Sequence, residues 1–312
     1  MSNNPEIIHL KHQQINYRKW DACLERAENK NMYARSWFLN IVSPQWEALI
    51  YGDYRYIMPL PVKKRFRLTA IFQPLHCQQL GIFPPPRDQE LQIRFCQRLF
   101  RHSPVIHYQF NAGILFRAFG KLKVQEKTNY LLPPESSYQQ HFKKFSENAR
   151  RNIKKAEKMK VRVETGLEPH EFFRWKTQAV KRKIPAGSGP VLSRLMDQTL
   201  KNGKGSIYAA YDKNNTLCAA AFIVFEGEKA YYLNAYSSPQ GFKNSAMYLI
   251  VSELIKQCSS RNILLDFEGS MIPGVARFYK GFGAVPEIYF YTYTPGNPIA
   301  WMKNRMTRCH DA

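Results

Sequence analysis

The sequence predicts an α/β protein with mixed β-sheets, in which one order of elements is used twice. Read as symbols, residues 160–294 give β-α-α-β-β-β-α-β-α-β. The first half repeats that order through its fifth strand but has no clear helix corresponding to 271–281. A chain of 312 residues also suits two domains of ordinary size better than one. Pro133-Pro134 is the best linker candidate, so the expected domains are 1–132 and 133–312, the first a degenerate copy of the second.

In the first half, Ile7-Ile8-His9-Leu10 reads as a strand. Asn16 is placed to cap a helix from Tyr17 to about Glu28, with Trp20, Cys23, Leu24 and Ala27 along one stripe. A short helix from Ser36 to about Val42 is expected to be capped by Ser36 and to stop near Pro44. Strand-like sequence from Trp46 to Tyr51 and Tyr54 to Val62 flanks Gly52-Asp53, a hairpin signal. Pro59 and Pro61 put the second strand at an edge or end its pairing early. Strand material between Leu68 and Phe83 ends at three prolines. A helix follows from Asp88 to about Arg101, with Leu91, Phe95 and Leu99 as its core stripe and acids in its first turn. Val105–Phe110 and Leu122–Leu132 are further strands.

After the linker, Ser136 or Ser137 starts a short helix and Ser146 a second. Val161–Thr165 reads as a strand, Glu168 to about Arg182 as a helix, and Ile184–Pro190 as a loop long enough to border a site. Another helix runs from Pro190 to about Lys201. Ser206–Tyr211, Leu217–Phe225 and Lys229–Tyr236 form a meander through turn-forming connections. A helix from about Asn244 to Cys258 buries Ala246, Leu249, Ile250 and Leu254. A strand at 263–265, one more helix, and Val285–Thr294 close the order.

Hydrophobic residues make up 44% and aromatics 14%, which excludes disorder. Lys and Arg number 46 against 24 Asp and Glu, a formal charge of +22. That excess points to an anionic partner (nucleic acid, a nucleotide-like cofactor or an anionic membrane surface) or serves solubility alone. The first six residues have neither the basic nor the apolar region of a signal peptide. The longest apolar run, Ala219 to Phe225, is far short of the ~20 residues of a membrane helix. The expected location is therefore cytoplasmic. Six scattered cysteines without a C-x-x-C pair read as reduced, mostly buried thiols. Eight histidines show no metal-ligand spacing, and no metal is expected.

Two stretches carry chemistry. The helix from Ser146 has a narrow apolar stripe of Ala149, Ile153 and Ala156, with Arg150, Arg151, Lys154, Lys155 and Lys158 on its other faces. Such a face grips a phosphate backbone or is simply solvated. The second stretch is Leu264-Leu265-Asp266-Phe267-Glu268-Gly269-Ser270, leading into a helix through Tyr279 that ends at Gly281 or Gly283. Strand alternation would put Asp266 and Glu268 on one face, with Ser270 as the helix N-cap. Two acids at a strand end, facing a tyrosine on the next helix, make either an active-site edge or ordinary capping.

The element order, with Phe278-Tyr279-Lys280-Gly281-Phe282-Gly283 after the last acid, resembles the GNAT acyltransferase fold, and the paired halves resemble its Fem-like branch. Ser146-Glu147-Asn148-Ala149-Arg150-Arg151-Asn152-Ile153-Lys154-Lys155-Ala156 is similar to that branch's Ser-x-x-x-Arg-x-x-Ile-x-Lys-Ala signature. Asp266-Phe267-Glu268-Gly269 with Arg277–Gly283, and Gln73-Pro74 with Gln79-Leu80-Gly81, extend the likeness over most of the chain. The resemblance implies N-acyl transfer from acetyl-CoA, another acyl-CoA or aminoacyl-tRNA to a primary amine, with no tightly bound cofactor.

It also implies roles. Asp266 or Glu268 takes the amine's proton. Amides near Asn234–Ser237 polarise the carbonyl. Tyr279 protonates a leaving thiolate. The donor would lie at Tyr236, Ser237, Gln240, Gly241, Asn244, Ser245 and Ala246, which keep small residues at a helix start but not the family's usual Arg/Gln-x-x-Gly-x-Gly/Ala spacing. The basic helix would suit a tRNA donor. Two rivals stand beside this reading: a non-catalytic GNAT-fold protein that binds nucleic acid or an anionic surface, and a peptidoglycan-precursor aminoacyltransferase.

Overall fold

The computed structural model describes residues 5–65, 68–114, 122–179 and 187–295. In the first half the strands are β1 (Ile7–Leu10), β2 (Glu47–Tyr51), β3 (Tyr56–Leu60), β4 (Val62–Arg65), β5 (Leu68–Phe72), β6 (Val105–Phe110) and β7 (Lys123–Leu132). The helices among them are α1 (Tyr17–Glu25), α2 (Ser36–Val42) and α3 (Gln89–His102). Next come α4 (Tyr138–Lys144), α5 (Glu147–Lys158), β8 (Arg162–Thr165), α6 (Pro169–Ala179) and α7 (Ser188–Lys201). The meander is β9 (Gly205–Tyr211), β10 (Leu217–Glu226) and β11 (Lys229–Ser237). The chain then forms α8 (Pro239–Lys243), α9 (Ala246–Ser260), β12 (Leu264–Asp266), α10 (Pro273–Gly281) and β13 (Val285–Tyr293). Among the described residues no helix is long and apolar enough to cross a membrane.

The chain divides into two compact units, Met1–Lys127 with Ala186–Val191 and Ile288–Ala312, and Thr128–Pro185 with Leu192–Glu287. Each unit shows the same pairing logic. In the first, β1, β2 and β3 form an antiparallel sheet, and β5 runs parallel to β6. In the second, β8, β9 and β10 are antiparallel, and β11 runs parallel to β12. The last strand of each half is exchanged: β13 pairs antiparallel with β6, whereas the end of β7 pairs antiparallel with β12. The expected loop at 184–190 falls partly outside the described residues, and Ser188 already lies in α7.

Local details depart from the sequence reading where tertiary partners intervene. Ser36 is the first residue of α2 rather than its cap; Arg35 is the N-cap, and Asp21 of α1 accepts the Ser36 N–H at 3.0 Å. The stretch expected as one strand into Val62 breaks at Pro61, and β4 pairs instead with β5. Between Phe72 and Phe83 only isolated bridges remain. Asn16, Ser137 and Ser146 cap α1, α4 and α5 through their side chains as their positions predict.

In the first unit Trp20 and Trp46 meet at 4.6 Å at the centre of the core, and the Trp20 indole donates to the Ala34 carbonyl. In the second unit the middle of β10, from Cys218 to Val224, is wholly buried. Its Ala219, Ala220 and Ala221 leave room for close packing, and Leu249, Ile250 and Leu254 of α9 belong to the same core. Ala149, Ile153 and Ala156 of α5 are buried in this core as the stripe predicts.

Candidate active site

The second unit opens its sheet at one point. The parallel register of β11 and β12 runs from Lys229–Leu264 to Tyr231–Asp266, where β12 ends while β11 continues to Ser237. Just beyond, β11 carries a bulge against β10, because Phe222 pairs with Asn234 and Ile223 with Tyr232. The two strands therefore part in a V with Asp266 at its apex. A bulge adds local twist, which turns the rest of β11 away from β12.

Asp266 is 5% exposed and lies beside Asn129 of β7, which is completely buried. Asp266 Oδ1 accepts the Glu268 N–H at 2.8 Å, closing a short turn. Glu268 itself sits at φ 59 and Gly269 at φ 60, so the chain leaves the strand at Asp266. Alternation no longer applies there, and the expected shared face of Asp266 and Glu268 is not formed. A Cβ at position 269 would meet the Thr128 carbonyl at 2.2 Å, so only glycine lets this turn lie on β7. Ser270 does not cap α10 as expected. It accepts the Ile272 N–H, and Ile272 is the N-cap, with Pro273 opening the helix.

Tyr279 projects from α10 back into the core and is 8% exposed. Its ring stacks on Phe267 at 4.5 Å, and Tyr130 and Tyr232 close the box at 6.0 and 6.2 Å. Burial pushes the Tyr279 phenol far above its ordinary range, and the carboxylates of Glu268 and Asp266 push it further. Burial also lifts Asp266 from 3.8 to about 6. The Glu268 N–H, Asn129 and Lys229 pull it back, and Glu287 adds to the rise. Two buried groups that feel each other electrostatically are thus held apart in proton affinity: a carboxyl poised near neutrality and a phenol that keeps its proton.

The start of α9 lies next to this pair. Phe278, beside Tyr279, packs edge-on against Tyr248 at 4.8 Å, and the Tyr232 hydroxyl donates to Met247 Sδ at 2.8 Å. Helix α5 is tied to the same end, since the Ser245 hydroxyl donates to Asn152 Oδ1 at 2.8 Å and Asn148 Nδ2 to the Tyr248 hydroxyl at 3.2 Å. The structure thereby brings the tyrosine, the acids, the start of α9 and the α5 signature into one cluster. Arg150, Arg151, Lys154, Lys155 and Lys158 are all exposed, and among the described residues none of them forms a salt bridge.

Residues 143–279 match the family model of the acetyltransferase (GNAT) domain. This segment is similar to the GNAT domain. The chain is also similar to solved structures. A crystal structure of FemX matches with a TM-score of 0.64 and 12% identity, covering 95% of this chain and 99% of that one. L-PGS from Bacillus licheniformis matches at 0.53 and 11% identity, covering 94% and 96%. A tandem GNAT protein from the clavulanic acid biosynthesis pathway matches at 0.50 and 9% identity, covering 94% and 100%. At these identities the likeness is one of fold: a Fem-like GNAT architecture of α/β class. No curated protein matches the sequence.

In the matched segment, the stretch expected to hold a donor is built differently from a glycine-rich turn. Where sequence suggests a turn, Pro239–Lys243 form α8, capped by Ser238, whose hydroxyl accepts the Gly241 N–H at 3.1 Å and donates to the Cys218 carbonyl at 3.0 Å. A Cβ on Gly241 would lie 2.1 Å from that carbonyl, so the glycine serves helix-on-strand packing. Gln240 reaches Asn244 Oδ1 at 3.2 Å, Asn244 and Ala246 are buried, and Ser245 takes a left-handed conformation at φ 57 to start α9. Tyr236 and Ser237 end β11. The Tyr236 ring lies under the Lys176 ammonium of α6 at 4.4 Å.

Sequence reasoning missed Asn129, Phe267, Ser238 and Lys176. Lys176 is 3% exposed, and burial lowers its proton affinity. Asn129 had a signal: it is the polar member of Asn-Tyr-Leu-Leu at the end of a strand otherwise closing on apolar residues. Lys176 had none, because it sits among the polar positions of a half-exposed helix.

Proposed function

We propose that this protein is an N-acyltransferase that moves an acyl group from a phosphorylated donor, an acyl-CoA or an aminoacyl-tRNA, onto a primary amine. The observation that carries the reading is the electrostatic coupling of buried Asp266 to buried Tyr279, beside the point where β11 and β12 part. A lysine-type amine has a pKa near ~10.4 and must lose a proton to attack. Asp266, held near about 6, is ionised at neutral pH and accepts that proton directly or through water. Nitrogen then bonds to the acyl carbon while the carbonyl oxygen takes up charge facing the unpaired edge of β11. Collapse of the intermediate breaks the bond to the leaving sulfur or ribose oxygen; Tyr279, still protonated, supplies the proton it needs, and the second proton shed by the nitrogen restores the tyrosine. Glu268 sets the electrostatic field on Tyr279 and is the second candidate base.

The donor's phosphates would lie at the start of α9, whose N-cap Ser245 makes no side-chain cap, with Tyr236, Ser237, Gln240, Gly241, Asn244, Ser245 and Ala246 shaping that end. The Gly241 amide is already used by Ser238, so less of the anion's binding can come from backbone there than in a glycine-rich turn. Arg151 and Lys155 share the α5 surface with Asn148 and Asn152, the residues that touch α9, and they supply the missing charge. The exposed cations on α5, without a salt bridge among the described residues, favour aminoacyl-tRNA as the donor.

The test is a ligand panel read by thermal shift and calorimetry: CoA, acetyl-CoA, longer acyl-CoA thioesters, and charged and uncharged tRNA. Stabilisation by one donor class that is lost in Arg151→Ala and Lys155→Ala supports the reading. If neither thioesters nor tRNA bind at concentrations that saturate ordinary GNAT enzymes, it fails.

A further inference from the structure

Far from the matched segment in sequence, three side chains of the first unit converge. They are His9 on β1, Glu47 on β2 and His102, the last residue of α3. His9 Nε2 lies 2.7 Å from Glu47 Oε2, and His102 Nε2 lies 3.1 Å from the same oxygen. All three atoms fall within 4.8 Å of one another. Glu47 is only 3% exposed, and its other oxygen, Oε1, accepts from Lys64 Nζ at 2.8 Å. His102 Nε2 is buried and, among the described residues, has no hydrogen-bond partner in spite of that short approach. The two imidazole rings sit 4.3 Å apart, tilted at 52°. A purely hydrogen-bonded cluster would aim both rings at the carboxylate. Here the His102 nitrogen lies 3.1 Å from the carboxylate without making a hydrogen bond to it.

We infer that His9, Glu47 and His102 form a binding site for a divalent transition-metal ion of the zinc type. Two imidazole nitrogens and one carboxylate oxygen suit zinc, whereas magnesium and calcium favour all-oxygen surroundings. Tetrahedral zinc bonds of about 2.1 Å separate ligand atoms by roughly 3.3 Å. The His102 separation of 3.1 Å already lies close to that value, and a small rotation of the partly exposed His9 side chain widens the shorter one from 2.7 Å. Lys64 on Oε1 plays the orienting part that outer hydrogen bonds play in metal sites, directing Oε2 toward the two rings. The exposed side next to His9 leaves the fourth position to water. The ion would fasten β1, which pairs only with β2 in its sheet, to the end of α3.

The full-length protein, stripped with a chelator and freed of it, is titrated with zinc chloride by calorimetry and in competition with a zinc-binding dye. The expected result is one zinc per chain at sub-micromolar affinity, a melting temperature raised by several degrees, and no comparable response to magnesium. Affinity falls at least tenfold in both His9→Ala and His102→Ala. Glu47→Gln risks the fold because Glu47 is buried among three basic partners, so exposed His9 is the deciding variant. No stoichiometric uptake, equal binding of magnesium, or binding undiminished in both histidine variants would show a hydrogen-bonded cluster only and overturn the proposal.

Discussion

Replacing Asp266 by Asn removes a charge from a buried position without changing its shape. Burial raises this carboxyl from 3.8 to about 6, so the native state holds a proton the unfolded chain has released. The stabilisation from that proton is complete below pH ~4 and is lost as pH rises through about 6. Each tenfold change in proton affinity is worth ~1.4 kcal/mol, so at pH 8 the ionised Asp266 costs the fold about 3 kcal/mol. Asn keeps an oxygen to accept the Glu268 N–H but carries no charge. Asp266→Asn is expected to be more stable than the parent at pH 8 by about 1–3 kcal/mol, with the gain vanishing near pH 4. The same change lowers acyl transfer by roughly 10²–10⁴-fold, the usual contribution of a general base. It also abolishes the limb of kcat/KM that rises through pH ~6. Paired urea melts between pH 4 and 8, with turnover measured on the same samples, give both quantities. A variant less stable at pH 8, or active with the rising limb intact, refutes the assignment.

Tyr279→Phe keeps the stack on Phe267 and removes only the hydroxyl. It should reduce turnover of a thioester about 10²-fold or more with little change in melting temperature, and an unchanged kcat would count against a proton-donor role. Gly241→Ala drives a methyl group into the Cys218 carbonyl at 2.1 Å. Displacement of α8 should lower stability by more than about 2 kcal/mol on thermal denaturation, and a neutral outcome would mean the helix rides freely on β10. Changing Arg150, Arg151, Lys154 and Lys155 together to Ala, all on the exposed face of α5, should leave the fold intact. It should flatten the salt dependence of tRNA binding by about 3–4 in log–log slope, and an unaltered slope removes the patch from the donor site.

What could be read from residues alone was local. The α5 stripe of Ala149, Ile153 and Ala156, its Ser146 cap and the meander of β9 to β11 depend on neighbours within a few positions, and sequence shows them. The acids and Tyr279 could be singled out because a strand, a glycine turn and a helix follow one another without interruption. Features set by distant partners were not legible. Asp21 caps α2 from another helix, Gly241 answers to a carbonyl on β10, and Glu268 leaves its strand face because the turn closes on Asp266 Oδ1. Which strand closes each half, the end of β7 on β12 and the end of β13 on β6, is set by partners far away in sequence. His9, Glu47 and His102 come together only through the pairing of β1 with β2 and the docking of α3, which no spacing rule encodes.

The most direct test of the account is mass-spectrometric detection of acyl transfer. The purified protein is incubated with isotope-labelled acetyl-CoA or aminoacyl-tRNA and a panel of primary amines, with Asp266→Asn and Tyr279→Phe in parallel. Label joined to an amine by the parent protein, and lost from the amide product in both variants at matched folding, is the predicted result. Donor binding without any labelled amide across the panel, or equal product from all three proteins, would contradict catalysis by the Asp266–Tyr279 pair.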